Sequence, residues 1–289
     1  MQKMTLGKTG LKISRLGVGL AEIGSGTDIS EVKELLVHAL DSGVNFLDTA
    51  ACYGDSEELI GKTVADRRDE YYLATKAGHI TGDYEGEPWT AQTITDSIDR
   101  SLKRLKTDHV DLVQLHSCGV DILEKGEVIR ALEDARDAGK TRFIGYSGDN
   151  EAALWAIKSG RFDTLQTSFN LLDQEPLKEV LPQAEEANMG IIIKRPIANA
   201  AWGLESGPDR YQERAAAMKK MGALPQVPDD AILLALGFVF SFEVVDTAIV
   251  GTANPDHMKE NIRLVKEELP IHAETVAELR RRFKEISED

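Results

Sequence analysis

The sequence predicts an α/β protein, a parallel (β/α)8 barrel of the TIM type, with an N-terminal β-hairpin and extra helices after the seventh strand and at the C-terminus. Three observations predict it. Eight short apolar runs recur along the chain, at residues 16–19, 45–48, 72–75, 112–116, 143–146, 164–167, 191–194 and 247–250. They lack two-fold polar alternation, as strands covered on both faces do. Stretches with helical periodicity separate them, and no linker interrupts the 289 residues, close to the roughly 250 of one such barrel. One domain over residues 1–289 is therefore expected.

Taken in order, residues 3–13 read as a small hairpin turning at 7–10, placed to plug one end of the barrel. Ser30 is a candidate N-cap for a helix over 31–40, and Ser56 for a short helix over 57–62 whose Glu57 and Glu58 suit a helix start. Ile94, Ile98, Leu102 and Leu105 mark the buried face of a helix that Thr90 could cap. Gly43, Gly139 and Gly160 each follow a helical run, where a left-handed residue would end it. Residues 208–222 form an inserted helix after the seventh strand, and a charged amphipathic helix over about 273–286 closes the chain.

Composition bounds what the protein does. The formal net charge of −15 repels phosphate backbones, so nucleic-acid binding through a broad basic face is not expected, and an anionic cofactor would need a local positive site. Two cysteines, Cys52 and Cys118, make no disulfide framework. The N-terminus lacks a signal-peptide apolar run, and the longest apolar stretch, near 231–242, is broken by Gly237 and Ser241. The expected compartment is the cytoplasm, with no membrane partner. The six histidines show neither H-x-H nor H-E-x-x-H spacing, so no metal site is expected.

The chemistry gathers at strand ends. The second predicted strand ends in Asp48, and a short turn then presents Tyr53; the third runs into Lys76 and the fourth into His116. The C-terminal ends of barrel strands form the face on which active sites are built. Reducing a carbonyl takes a hydride at carbon and a proton at oxygen. Tyrosine is a weak acid, with an unperturbed pKa of about 10, and a nearby ammonium favours its phenolate. An aspartate would keep that lysine charged, and a histidine could orient the substrate oxygen. Taken singly, the Asp could be a cap, the His a core residue and the Tyr packing; four on consecutive strand ends are hard to obtain by accident.

The segment Phe46-Leu47-Asp48-Thr49-Ala50-x-x-Tyr53-Gly54-x-Ser56-Glu57 resembles the signature of the aldo-keto reductase family. So does Ser101-Leu102-x-x-Leu105-x-Thr107-Asp108-x-Val110-Asp111-Leu112-x-x-Leu115-His116, and the resemblance runs from the hairpin to about Asn261. It implies NAD(P)H-dependent reduction of an aldehyde or ketone to an alcohol, or the reverse. Tyr53 would be the proton donor, Lys76 and Asp48 its tuners, and His116 the orienting residue. A nicotinamide cofactor would lie across the barrel top. Gly17-x-Gly19 is not a dinucleotide fingerprint, because Glu22 stands where a third glycine belongs; Gly19 instead suits close backbone approach at the barrel mouth. The resemblance places Ser147 and Gln166 against the carboxamide, with Gly148 and Asp149 where an Asn frequently follows. Lys194 stands where many members carry a stacking tyrosine; Arg195, with Ile197 beyond it, falls where pyrophosphate binds, although a rim salt bridge is the plain alternative for Arg195. Gly251, Thr252, Asn254, His257 and Asn261 match the adenosine end. The family leaning favours NADP(H) over NAD(H), although Gly251 and His257 stand where strongly NADP-preferring members often have Lys and Arg.

Two other readings fit the same residues. Lys76 or Lys194 could form a Schiff base in lyase chemistry, which Asp48 opposes at Lys76 by holding the amine protonated. A barrel of this kind could also keep its cofactor as a redox-reporting subunit with little turnover. Trp89 and Trp202 fall in predicted rim loops, and residues 79–89 and 208–222 are the expected substrate determinants. Substrate, reaction direction and oligomeric state are not written in the sequence.

Overall fold

A computed structural model describes residues 1–82, 84–203 and 207–288; Asp83, within the expected rim segment 79–89, lies outside the described residues. Strands β1 (Lys3–Thr5) and β2 (Lys12–Ser14) form the antiparallel hairpin. Eight parallel strands then close into a barrel in chain order: β3 (Leu16–Gly19), β4 (Phe46–Asp48), β5 (Tyr72–Ala77), β6 (Val110–His116), β7 (Thr141–Ser147), β8 (Thr164–Ser168), β9 (Gly190–Lys194) and β10 (Thr247–Gly251). The last strand pairs with the first of the eight, which leaves the barrel without an edge.

The helices between them are α1 (Ile29–Asp41), α2 (Ser56–Thr63), α3 (Ala91–Leu105), α4 (Val120–Lys125), α5 (Glu127–Asp137), α6 (Asn150–Ser159), α7 (Val180–Glu186), α8 (Asp209–Lys220), α9 (Ala231–Phe240), α10 (Pro255–Glu267) and α11 (Ala273–Glu288). Thr90 caps α3 as expected, its hydroxyl accepting from the Thr93 amide at 3.2 Å. Two expected caps are different. Asp28, not Ser30, caps α1: the Ser30 amide donates to the Asp28 carboxylate at 2.7 Å. An Asp beats a Ser here because the charge also suits the positive end of the helix dipole. Ser56 is the first residue of α2, and its hydroxyl instead donates to the Leu20 carbonyl at 2.7 Å, tying α2 to the loop after β3. The inserted α8 is pinned by buried Arg282 of α11, which donates to the carbonyls of Met218, Gly222 and Ala223.

Inside the barrel four strands change character as they rise. Side chains two apart point inward together, so the inner face reads Phe46 then Asp48, Ala74 then Lys76, Leu112 then Gln114 then His116, and Ile192 then Lys194. The lower layer, Phe46, Ala74, Leu112, Ile192 and Ile249, packs with Leu6, Leu11 and Ile13 of the hairpin into one apolar cluster. The hairpin therefore plugs the N-terminal end. Its Gly7 amide donates to Asp246 at 3.2 Å and its Lys8 amide to the Asn188 carbonyl at 2.8 Å. The upper layer is polar and opens at the other end. Burial of apolar residues below and of paired polar ones above fixes which end can do chemistry.

Candidate active site

Four residues predicted from the strand ends meet at the open mouth. Lys76 Nζ lies 2.5 Å from Asp48 Oδ2, 2.8 Å from the Thr49 carbonyl and 3.5 Å from the Tyr53 hydroxyl. The Tyr53 hydroxyl is in turn 3.5 Å from His116 Nε2, and the two rings meet edge to face. The other carboxylate oxygen of Asp48 accepts from Gln166 at 2.8 Å and from Gln114 at 3.2 Å. Lys76 and Asp48 are buried at 2% and 1% exposure, so neither charge is served by water and each depends on its partners.

The turn carrying Tyr53 is held by its own backbone and by side chains around it, Arg104 donating to the Ala51 carbonyl at 3.3 Å. The Tyr53 amide donates to the Ala50 carbonyl and the Ser56 amide to the Tyr53 carbonyl, both at 3.0 Å. Gly24 crosses so close that a Cβ on it would fall 1.8 Å from the Tyr53 carbonyl oxygen. Gly54, with φ +50, packs back on the Gly24 carbonyl in a conformation that other residues adopt at a cost.

Electrostatics sets the protonation states. Burial works against charge on Lys76, but Asp48 first and then Tyr53 outweigh it and hold its pKa above the ordinary value. The expectation for Tyr53 needs correcting. Burial raises its pKa more than the Lys76 ammonium lowers it, and the Asp48 charge adds to the rise, so the phenol is a weaker acid than a free tyrosine and stays protonated. Spacing along the strands showed the cation and not the desolvation. His116 is pushed down to about 2, by burial first and then by Lys76, His79 and Lys194, so its imidazole is neutral at ordinary pH.

A cleft of about 550 Å³ opens above these groups. It is lined by Gly19, Asp48, Tyr53, His116, Ser147, Gln166, Lys194, Arg195, Ile197 and Gly251, all singled out in the sequence. Ser147 donates to the Gln166 carbonyl oxygen at 2.8 Å, so this pair already anchors the Asp48 carboxylate. Lys194 pairs with Asp149 at 3.2 Å, and Arg195 donates to the Ser168 hydroxyl at 3.0 Å while standing 3.9 Å from Asp149. Burial lowers the Lys194 pKa, with Asp149 resisting. Arg195 thus makes rim contacts and faces the cleft at once.

The remaining expected residues do not line the cleft. Asn254 caps α10, accepting from the Asp256 amide at 2.8 Å, and the Thr252 hydroxyl accepts from the Asn254 amide at 3.0 Å. His257 is exposed and Asn261 buried on α10. Trp89 packs against His79, and Trp202 lies near Lys219. Sequence reasoning missed Glu22, Ser117 and Asn199, which line the cleft from loops, and Gln114, which lies beneath it. Only Gln114 left a signal: a polar residue two before His116 in a buried strand shares its inward face.

These features define a class: a barrel enzyme with a protonated phenol beside a buried ion pair, at the floor of a cleft on the C-terminal face of the strands. The model of the Aldo/keto reductase family matches residues 15–281, and the chain belongs to that family. The uncharacterized oxidoreductase YqkF of Bacillus subtilis is 30% identical over 93% of this chain and 94% of its own. L-galactose dehydrogenase of Arabidopsis thaliana is 30% identical over 95% and 92%. The holo form of aldo-keto reductase AKR11C1 from Bacillus halodurans superposes with a TM-score of 0.85 at 27% identity, covering 98% of this chain and 96% of that one. The protein is an NAD(P)-dependent oxidoreductase.

Proposed function

We propose that the chain reduces an aldehyde or ketone of a small molecule, or runs the reverse oxidation, with Tyr53 as the general acid. The supporting observation is the chain of contacts from Asp48 through Lys76 Nζ to the Tyr53 hydroxyl, which ends at the cleft. The cleft suits a nicotinamide dinucleotide: Lys194 and Arg195 offer positive charge, and Ser147 and Gln166 offer polar atoms for an amide. When bound, that cofactor supplies the hydride that goes to the carbonyl carbon. Tyr53 gives its proton to the carbonyl oxygen. Its phenolate forms only at that moment, and Lys76, held charged by Asp48, stabilises it then. Burial leaves the proton on Tyr53 until the carbonyl arrives, and the Lys76 ammonium offsets part of that rise in pKa. Neutral His116 directs Nε2 at the same region and orients the oxygen.

Between the two dinucleotides we propose NADP(H), following the family leaning. Against it stand the Glu22 carboxylate beside Gly251 and the single imidazole of His257 in place of a firm cation. A panel of carbonyls and alcohols followed at 340 nm with NADPH, NADH and their oxidised forms tests both statements. Turnover of at least one carbonyl class, faster with NADPH, is expected. No turnover of any carbonyl or alcohol overturns the reductase reading, and a large NADH advantage overturns the cofactor preference. The Schiff-base reading finds no support at Lys76, whose amine stays charged.

A further inference from the structure

Cys52 is the residue before the proposed acid, and the reaction described above leaves it without a task. Its sulfur lies 3.2 Å from Nδ1 of His116. The turn 50–56 therefore touches both ring nitrogens of one histidine: Cys52 at Nδ1 and Tyr53 at Nε2. We propose that Cys52 is a positioning residue that sets the tautomer of His116, its thiol donating to Nδ1 so that the ring's one proton sits on Nε2, facing the Tyr53 hydroxyl and the cleft.

Three observations carry this. The imidazole is neutral, so it has one N–H and its placement is a choice between two nitrogens. Burial keeps the Cys52 thiol protonated, with Lys76 pulling the other way, so an S–H is available to give. A thiol is weak both as donor and as acceptor, whereas an unprotonated imidazole nitrogen is a good acceptor and the opposite tautomer would turn the Nε2 lone pair on the Tyr53 hydroxyl. The pair is therefore best matched as S–H to Nδ1. The other groups facing the ring do not compete for that nitrogen: His79 meets it edge to face, with ring centres 5.0 Å apart, and Lys76 reaches Tyr53 rather than the imidazole.

The consequence rests on the reductase reading. With the proton on Nε2, a carbonyl oxygen entering the cleft meets two donors, the Tyr53 O–H and the His116 N–H. With the opposite tautomer the Nε2 lone pair would draw the Tyr53 proton to itself and repel the carbonyl oxygen. One thiol thus decides whether His116 assists the acid or competes with it.

The test is ¹⁵N NMR of histidine-labelled full-length protein, with His116 assigned by comparison with His116→Gln. The expected spectrum has a protonated Nε2 and an unprotonated, hydrogen-bonded Nδ1. Cys52→Ala should move the Nδ1 resonance towards that of a free or partly protonated nitrogen, and Cys52→Ser should keep it. In the same variants kcat should fall about fivefold in Ala, the weight of one modest hydrogen bond, and recover in Ser, with dinucleotide Kd unchanged. A proton on Nδ1 in the wild type overturns the proposal, as does an Ala variant whose Nδ1 resonance or kcat is unaltered. The spectrum needs no turnover, so failure of the reductase reading would show separately, as a wild type that reduces no carbonyl while the tautomer result stands.

Discussion

At the scale of single residues, the site is an exercise in keeping one charge buried. Lys76 is 2% exposed and survives as an ammonium because Asp48, the Thr49 carbonyl and Tyr53 replace its water. Removing it leaves a buried carboxylate with only the amides of Gln114 and Gln166. Lys76→Met should therefore lower stability by about 3 kcal/mol or more, besides abolishing most turnover. Urea denaturation checks this, and the double variant Asp48→Asn/Lys76→Met should lose less, since neither charge is then stranded. The placement of Asp48 and Lys76 at strand ends was legible, and that of Gln114 beside them was not. Nor was their balance: the pKa of Tyr53 depends on how deeply loops from distant parts of the chain bury it, and no local spacing records that.

At the scale of elements, the strands were legible within one to two residues of their observed ends, because apolar runs flanked by turn residues have few other uses. Caps were less so. At α1, Ser30 and Asp28 are both capping residues two positions apart, and sequence does not say which enters the helix first. The tightest local requirement was invisible: the loop after β3 and the Tyr53 turn touch through Gly24 and Gly54, far apart in sequence. Gly24→Ala should push the Tyr53 carbonyl aside by about an ångström and reduce kcat by about 10²-fold, a displacement of that size being enough. The measurement is kcat beside the thermal midpoint; a large loss of activity with a small loss of stability is expected.

At the scale of the whole molecule, a chain of net charge −15 brings Lys194 and Arg195 to the mouth of the cleft, where Asp149 lies 3.2 Å from the first and 3.9 Å from the second and Glu22 adds a further carboxylate to the lining. Among the described residues no helix is long and apolar enough to cross a membrane. The opposite end carries a pH-sensitive fastening. Burial raises Asp246 to about 6, while the amides of Ile191 and Gly7 that it accepts from, and Arg15, pull it down. The folded state thus holds this proton more tightly than the unfolded one, whose ordinary value is 3.8. That contribution is complete below about 3.8 and is lost as pH rises through about 6. Asp246→Asn keeps an acceptor without the charge, so its melting temperature relative to wild type should rise between pH 4 and pH 8, by the equivalent of about 1–2 kcal/mol. Equal pH dependence of the two proteins would mean that Asp246 holds its proton no more tightly in the folded state than in the unfolded one.

The central claim concerns one proton. Steady-state kinetics of Tyr53→Phe on a carbonyl the wild type reduces, with dinucleotide affinity measured in parallel, addresses it most directly. A fall in kcat of about 10²-fold or more with unchanged dinucleotide Kd is the predicted result. Turnover within a few fold of wild type would mean that another group delivers the proton.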